Sequence, residues 1–271
     1  MAVNSERLDV FLVSHGFCES REKAQALIME GLVFVDGQRS DKAGTKVSDG
    51  IEIEIRGEEC PFVSRGGKKL AKAVKSFNIS LDGLVCADIG ASTGGFTDCM
   101  LQNGAAKVYS VDVGYGQLAW KLRSDSRVVC IERTNARYLS NEIIPEQLDF
   151  VSADVSFISL SLILPAVAPL MKHGAHGVFL IKPQFEAGRD KVGKNGVVRD
   201  AKVHIEVIER VLTFIIDNGL STLGLDYSPI KGPKGNIEYL VYVGKGIPSV
   251  DVDPNVIVKL AHECLDASLQ H

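Results

Sequence analysis

The segment "GVFLIKPQFEAG", residues 177–188, ends an apolar run on Lys182 and follows it at once with Pro183. An ammonium at the end of Val178, Phe179, Leu180 and Ile181 is costly to desolvate without a partner, so it either reaches solvent or has work to do. Three further residues can do complementary chemistry: Lys69 in "SRGGKKL", Asp154 in "SADVSFISL" and Glu238 in "GNIEYLVYV". Two amines and two carboxylates can move a proton and hold one another charged. Each also has a bland reading. Asp154 can cap the helix that follows it, Lys69 can be one more charge on a basic helix, and Glu238 can be the polar position of an alternating strand.

A second group of residues could hold a ligand. "DIGASTGGFTD" runs from Asp88 through Gly90, Ala91, Ser92, Thr93, Gly94 and Gly95 to a helix opening near Phe96. Small residues allow close backbone approach, and helix-terminal N–H groups favour a carboxylate or phosphate. The glycine spacing is not Gly-x-Gly-x-x-Gly, which disfavours NAD and FAD; a plain tight turn is the alternative. Asp112 ends the next strand, 18 residues beyond Gly94, where an acid can accept both hydroxyls of a ribose or simply cap a turn. Turn and acid together suggest an adenosine-bearing ligand without phosphates. S-adenosylmethionine fits, with its carboxylate on the helix N-terminus and its sulfonium near Asp154.

The elements that must position these residues alternate in type. "LVCADIG", "KVYSVDVG", "RVVCIE", "LDFVSADVS" and "GVFLIKP" read as strands, with helices over 64–77, 95–102, 158–170 and 200–218. The alternation predicts an α/β fold, a doubly wound and mostly parallel sheet that carries ligands at the carboxyl ends of its strands. "LSTLGLDYSPI" and "GNIEYLVYVGKG" follow as strands with no helix between, a terminal antiparallel hairpin expected of methyltransferases on this sheet. A closing helix has Asp253 as cap and Pro254 in its first turn.

Residues 1–60 form a separate module, and 61–271 the larger domain. In the module Ser5 and Ser20 cap two short helices that stop at Gly16 and Gly31, followed by strands around an Asp-Gly turn and the alternating "IEIEI". The module holds 7 Lys or Arg against 12 Asp or Glu, so any attraction to phosphates must come from one face. From Pro61 to Lys75 the charge reverses: Arg65, Lys68, Lys69, Lys72 and Lys75 stand with no acid among them. The six cysteines make no Cys-x-x-Cys pair, which excludes a disulfide framework and a zinc site. His173 and His176 have ligand-like spacing, but "KHGAHG" offers no third ligand and reads as a surface turn. The N-terminus lacks a signal peptide pattern, and "FISLSLILPAVAPLM" is short and broken by Pro165 and Pro169. A cytoplasmic protein is expected.

"RLDVFLV", "SREKAQALIMEGLVFVDGQ" and "GIEIEI" resemble the small RNA-binding module of a small-subunit ribosomal protein, bacterial pseudouridine synthases and tyrosyl-tRNA synthetases. That resemblance puts the RNA-facing residues at Arg7, Arg21, Lys23 and Arg39; a protein-docking module is the alternative. The order Lys, Asp, Lys, Glu on this fold resembles the ribose 2′-O-methyltransferases of the FtsJ heat-shock type. Combined with the N-terminal module it is similar to the TlyA family, often called haemolysin A, which acts on ribosomal RNA. The likeness covers "SRGGKKLAKA", "DIGASTGGFTD", "VDVGYGQLAWKLR", "ERTNAR", "DVSFISL", "IKPQFE" and "VRD". The family's first lysine directly precedes a leucine, which selects Lys69, before Leu70, over Lys68.

The resemblance implies a Rossmann-like seven-stranded methyltransferase sheet, S-adenosylmethionine as cofactor, and ribosomal RNA or ribosomal subunits as partner, with no metal and no stable membrane association. It implies Lys69, Asp154, Lys182 and Glu238 as the catalytic set. Lys182 then takes the hydroxyl proton, Asp154 orients Lys182 and the methyl donor, and Lys69 with Glu238 fixes the ribose. Lowering of the Lys182 pKa by Lys69, against the pull of Asp154 and Glu238, would prepare it. Asp88 to Phe96, Asp112 and Asp154 would hold the cofactor, Arg133 and Asn135 the adenine side, and Arg65, Lys72 and Lys75 the phosphates flanking the target ribose. The rivals are a membrane-lytic protein, which needs spanning or strongly amphipathic segments absent from the pattern, and a non-catalytic RNA-binding assembly factor.

Overall fold

Ser5 does not cap a helix. In the computed structural model, which describes residues 5–29, 31–48, 50–56, 60–193, 195–232 and 234–266, Ser5–Arg7 is a short strand, β1. It turns directly into helix α1 (Leu8–Ser14), whose N-cap is Arg7. Helix α2 (Arg21–Met29) does begin as its sequence predicts, with Lys23 N–H donating to Ser20 Oγ at 3.2 Å. Strands β2 (Val33–Val35), β3 (Gln38–Arg39), β4 (Lys46–Ser48) and β5 (Ile53–Ile55) follow. The Asp36-Gly37 turn between β2 and β3 has positive φ at both residues, the geometry such a hairpin requires. Strand β1 pairs with β4, and β2 lies between β3 and β5. Leu8, Phe11, Leu12, Ala24, Ile28, Val33 and Val47 make the core of this unit, which spans Met1–Arg65.

The second unit, Gly66–His271, opens with helix α3 (Gly66–Ser76). Then come β6 (Val85–Ile89), α4 (Gly95–Gln102), β7 (Lys107–Val111), α5 (Trp120–Arg123), β8 (Val128–Ile131) and β9 (Leu148–Ala153). Helix α6 (Leu164–Val167), β10 (Met171–Ile181), α7 (Pro183–Glu186), α8 (Ala201–Asp217), β11 (Leu220–Tyr227), β12 (Tyr239–Lys245) and α9 (Pro254–Asp266) complete it. The seven strands form one sheet in the order β11-β12-β10-β9-β6-β7-β8. Pairings from β10 through β8 are parallel, while β12 runs antiparallel between β10 and β11, the expected terminal hairpin. Val207, Ile208, Val211 and Ile215 of α8 bury one face in the same core as Ile89, Val151, Phe179 and Val241. Helix α9 packs on α8 and β11, with Asn255 N–H donating to Asp253 Oδ1 at 2.8 Å as its cap.

Two expected elements differ. Residues 158–170 do not make one helix: single turns at 160–162 and 168–170 flank α6, because Pro165 and Pro169 each start a new turn and cannot donate to the one before. "KHGAHG" is no surface turn but the first half of β10. Its register shifts between Met171 and His176, with Gly174 at φ +85, and His176 Nδ1 lies 2.8 Å from the Tyr242 hydroxyl across the ladder.

The strand order reverses where β6 has β7 on one side and β9 on the other, and a crevice opens beyond the carboxyl ends of β6 and β9. Gly90, at φ +85, closes that junction: a Cβ there would sit 2.8 Å from the carbonyl oxygen of Asp154. Gly90→Ala is therefore expected to cost about 1–3 kcal/mol of stability, measured by denaturant unfolding, from left-handed strain plus the clash. Wild-type stability in that variant would show that the two strand ends can part freely.

Candidate active site

Four segments deliver the chemistry-bearing residues to one place. Lys69 projects from the buried face of α3, beside Leu70 and Ala73, and is 7% exposed. Asp154 follows the end of β9, its N–H donating to the Ile89 carbonyl at 3.0 Å. Lys182 follows β10 and is the N-cap residue of α7, with Pro183 setting the first helical turn and so directing the chain away from the sheet. Helix α7 is anchored by Glu186, whose carboxylate accepts from Leu160 N–H at 2.8 Å and Ser159 Oγ at 2.6 Å. Glu238 immediately precedes β12 and is 1% exposed.

Lys69 Nζ donates to Asp154 Oδ2 at 3.1 Å and to Glu238 Oε2 at 2.7 Å. Lys182 Nζ lies 2.5 Å from Asp154 Oδ1, a close charge contact lacking the alignment of a hydrogen bond, and donates to Ser156 Oγ at 3.1 Å. Gln184 Nε2 reaches Glu238 Oε1 at 3.4 Å. Burial opposes charge on Lys69, but Asp154 and Glu238 outweigh it and hold the ammonium above its ordinary pKa. Burial likewise opposes charge on Asp154, and Lys69 and Lys182 outweigh it, holding the carboxyl below its ordinary value. Lys69, not Lys68, is the member of the adjacent pair in this cluster.

A crevice of about 1100 Å³ opens beside the cluster, large enough for a nucleoside-sized ligand. Gly90, Ser92, Asp112, Asn135, Asp154, Ser156 and Gln184 are among its walls. Asp112 is held in place by Ser92 N–H at 2.8 Å and Gly114 N–H at 2.7 Å, one donor on each oxygen, which leaves a lone pair on each for a ribose. Ala91, Thr93, Gly94, Gly95 and Phe96 stand behind the wall; at Gly94 a Cβ would meet Leu122 and Leu118. Asp88 is 1% exposed and differs from its expected place against the ligand. Its Oδ2 accepts from Thr97 N–H and Thr97 Oγ1, at 2.9 and 2.7 Å, so the carboxylate at the N-terminus of α4 is the protein's own. The glycine cradle, the paired acid at Asp112 and the unpartnered buried Gln184 Oε1 fit an adenosine-bearing group.

The other site residues scatter. Asn135 lines the crevice, whereas Arg133 stacks over Tyr115 at 4.2 Å. Lys72 is half-buried and already engaged: it donates to Asp226 Oδ1 and the Tyr227 carbonyl, at 2.8 and 2.6 Å, which ties α3 to the end of β11. Lys75 is exposed and Arg65 half-buried. In the first unit Arg7 and Arg21 both bind Asp9, Lys23 is half-buried on α2, and Arg39 covers Gly31. Sequence reasoning missed Ser156, Gln184 and Phe157. Phe157 is 90% exposed on the crevice rim with φ +63, a conformation that nothing in "DVSFISL" announces.

Residues 62–245 match the FtsJ-like methyltransferase family, and residues 6–53 match the S4 domain. YqxC of Bacillus subtilis is 48% identical over 97% of this chain and 95% of its own. The 16S/23S rRNA (cytidine-2′-O)-methyltransferase TlyA of Mycobacterium tuberculosis is 45% identical over 88% of this chain and 89% of its own. A solved structure from Streptococcus thermophilus that carries the hemolysin name superposes with a TM-score of 0.80 at 47% identity, over 100% of both chains.

Asp88 yields a test of this local architecture. Burial pushes its carboxyl up to about 7, partly opposed by the Thr97 hydrogen bonds. The folded chain thus keeps a proton that the unfolded chain sheds near pH 4, so this group's contribution to stability falls as pH rises from about 4 to 7. Asp88→Asn keeps an acceptor for Thr97 and removes the titration. Relative to wild type, the variant is expected to gain at least about 1 kcal/mol between pH 4.5 and 7.5 in thermal melts; a constant difference would exclude the assignment.

Proposed function

This chain belongs to the FtsJ-like methyltransferase family, and from that premise we propose that it transfers a methyl group from S-adenosylmethionine to a ribose 2′-hydroxyl of ribosomal RNA. The observation that carries this reading is the contact of Lys69, Asp154, Lys182 and Glu238 beside a crevice that Gly90 and Asp154 line. When bound, S-adenosylmethionine supplies a methyl already activated by its sulfonium, so what is left to the chain is alignment and removal of one proton.

Lys182 is the residue placed to take the hydroxyl proton onto Nζ as the oxygen accepts the methyl, once its own ammonium proton has passed to solvent. Asp154 and Ser156 aim that nitrogen from two sides. Asp154 bridges both lysines and lines the crevice, so it acts on the reacting groups directly. Glu238 is too deeply buried to touch a ribose; it positions Lys69 and Gln184 instead, which revises its expected role to a supporting one. Asp112 and the Gly90 turn hold the cofactor's adenosine, and Phe157 offers an open ring face on which an unstacked base can lie.

The S4 domain over residues 6–53 supports RNA as the partner, and the name of the TlyA relative supports a cytidine of ribosomal RNA as the proposed substrate. A ribosomal substrate supports a cytoplasmic location. The hemolysin name of other relatives has no counterpart in a spanning helix: among the described residues no helix is long and apolar enough to cross a membrane.

Replacing Lys182 by arginine keeps the charge but removes a group able to give up a proton at usable pH. Methyl transfer to ribosomal RNA by Lys182→Arg, followed with radiolabelled donor, is expected to fall by about 10²–10⁴-fold. Near-normal turnover would rule out the base role.

A further inference from the structure

The acidic first unit contains a charge arrangement with no part in the site above. Asp9, in the first turn of α1, is 0% exposed. Its Oδ1 accepts from Arg7 Nε at 2.9 Å; its Oδ2 accepts from Arg7 Nη2 at 3.1 Å, Arg21 Nε at 2.9 Å and Gln25 Nε2 at 2.7 Å. The arginines themselves stay open, with side chains 48% and 53% exposed. The hydrogen bonds from Arg7 hold the Asp9 carboxyl well below the usual carboxylate range, against the opposing effect of burial. A carboxylate satisfied by four donors is charged and fixed, and so are the donors.

Two guanidinium groups would ordinarily repel each other and wander. Here one buried anion holds both, and because Arg21 spends only Nε on Asp9, its two terminal nitrogens are left free of that carboxylate on a half-exposed side chain. The triad carries a single net positive charge on a unit whose first 60 residues hold 7 basic and 12 acidic side chains. Bulk attraction cannot hold a polyanion there, so geometry must.

We propose that Asp9 is a positioning residue that locks Arg7 and Arg21 into one rigid cationic pair, and that this pair takes two phosphates brought close together where a folded RNA backbone turns sharply. The proposal rests on the reading of the chain as a ribosomal RNA enzyme. It separates from a simple charge effect by sign. Asp9→Asn deletes a negative charge and would tighten binding if only electrostatics mattered, whereas loss of the lock weakens it.

The test is filter binding of ribosomal RNA to the full-length chain at fixed salt, with thermal melts of each variant. Asp9→Asn is expected to weaken binding about tenfold, and Arg21→Lys, which keeps charge without the fork, to weaken it as much as Arg21→Ala. Binding by Asp9→Asn as tight as wild type or tighter, or wild-type binding by Arg21→Lys, overturns the proposal. If Asp9→Asn fails to fold, the surface variant Arg21→Lys decides alone. Wild-type protein that does not bind ribosomal RNA sinks the functional reading and the pair with it, an outcome recognisable because no variant then differs from wild type.

Discussion

Two lysines and two carboxylates share one poorly hydrated place, and their mutual neutralisation is the constraint on which the second unit depends. Removing a single ion from water costs several kcal/mol. A contact near 3 Å returns roughly 5–6 kcal/mol at an effective dielectric constant of about 20, so an isolated pair about breaks even. Asp154 changes the balance by serving both lysines, and Glu238 supplies the second negative charge that closes the set. Loss of any one member leaves an unbalanced charge in a buried site, which explains why four such residues stand together in a largely apolar surround.

No local signal can assemble residues 69, 154, 182 and 238; the sheet does it through register. Ile181 lies opposite Tyr239 in the β10–β12 ladder, so Lys182 and Glu238 leave the sheet at the same level. Ala153 pairs with both Ile89 and Phe179, so Asp154 emerges between the ends of β6 and β10. A slip of one residue in either ladder would turn one member to the opposite face. The antiparallel insertion of β12 beside β10 is thus a requirement of the site, because no parallel strand would deliver its N-terminal flank to this end of the sheet.

Lys182 was legible in the sequence because a charge at the end of an apolar run stands out, and Gly90 and Asp112 because strand ends before turns are where this fold binds ligands. The seven strands were legible for the same reason: their apolar runs alternate with helical periods. What escaped depends on partners distant in the chain. Ser5 has the chemistry of a helix cap, yet pairing with Ser48 makes it strand. The glycines and histidines of "KHGAHG" have turn propensity, overridden at His176 and Gly177 by β9 and β12 on either side, while the register shift before them keeps a bulge at Gly174. Asp88 sits in a motif whose sequence suggests ligand binding, but Thr97, nine residues on, takes its carboxylate. Pro165 and Pro169 were visible, and their meaning as breaks within 158–170 could have been drawn from local sterics alone.

A chain of net charge -4 can hold a polyanion such as the proposed RNA only by local fields. At physiological ionic strength screening acts over about 8 Å, so the distant acids of the first unit weigh little against cations at the point of contact. What matters is whether those cations are free and aimed. Lys72 is neither, being spent on Asp226 and stacked over Tyr227, although composition alone would rank it with the exposed Lys75. Arg133, stacked on an exposed Tyr115, keeps its guanidinium without an ion pair among the described residues and offers charge and ring face together. Counting basic residues therefore misjudges such a surface in both directions; the partner each cation already has decides what it can still hold.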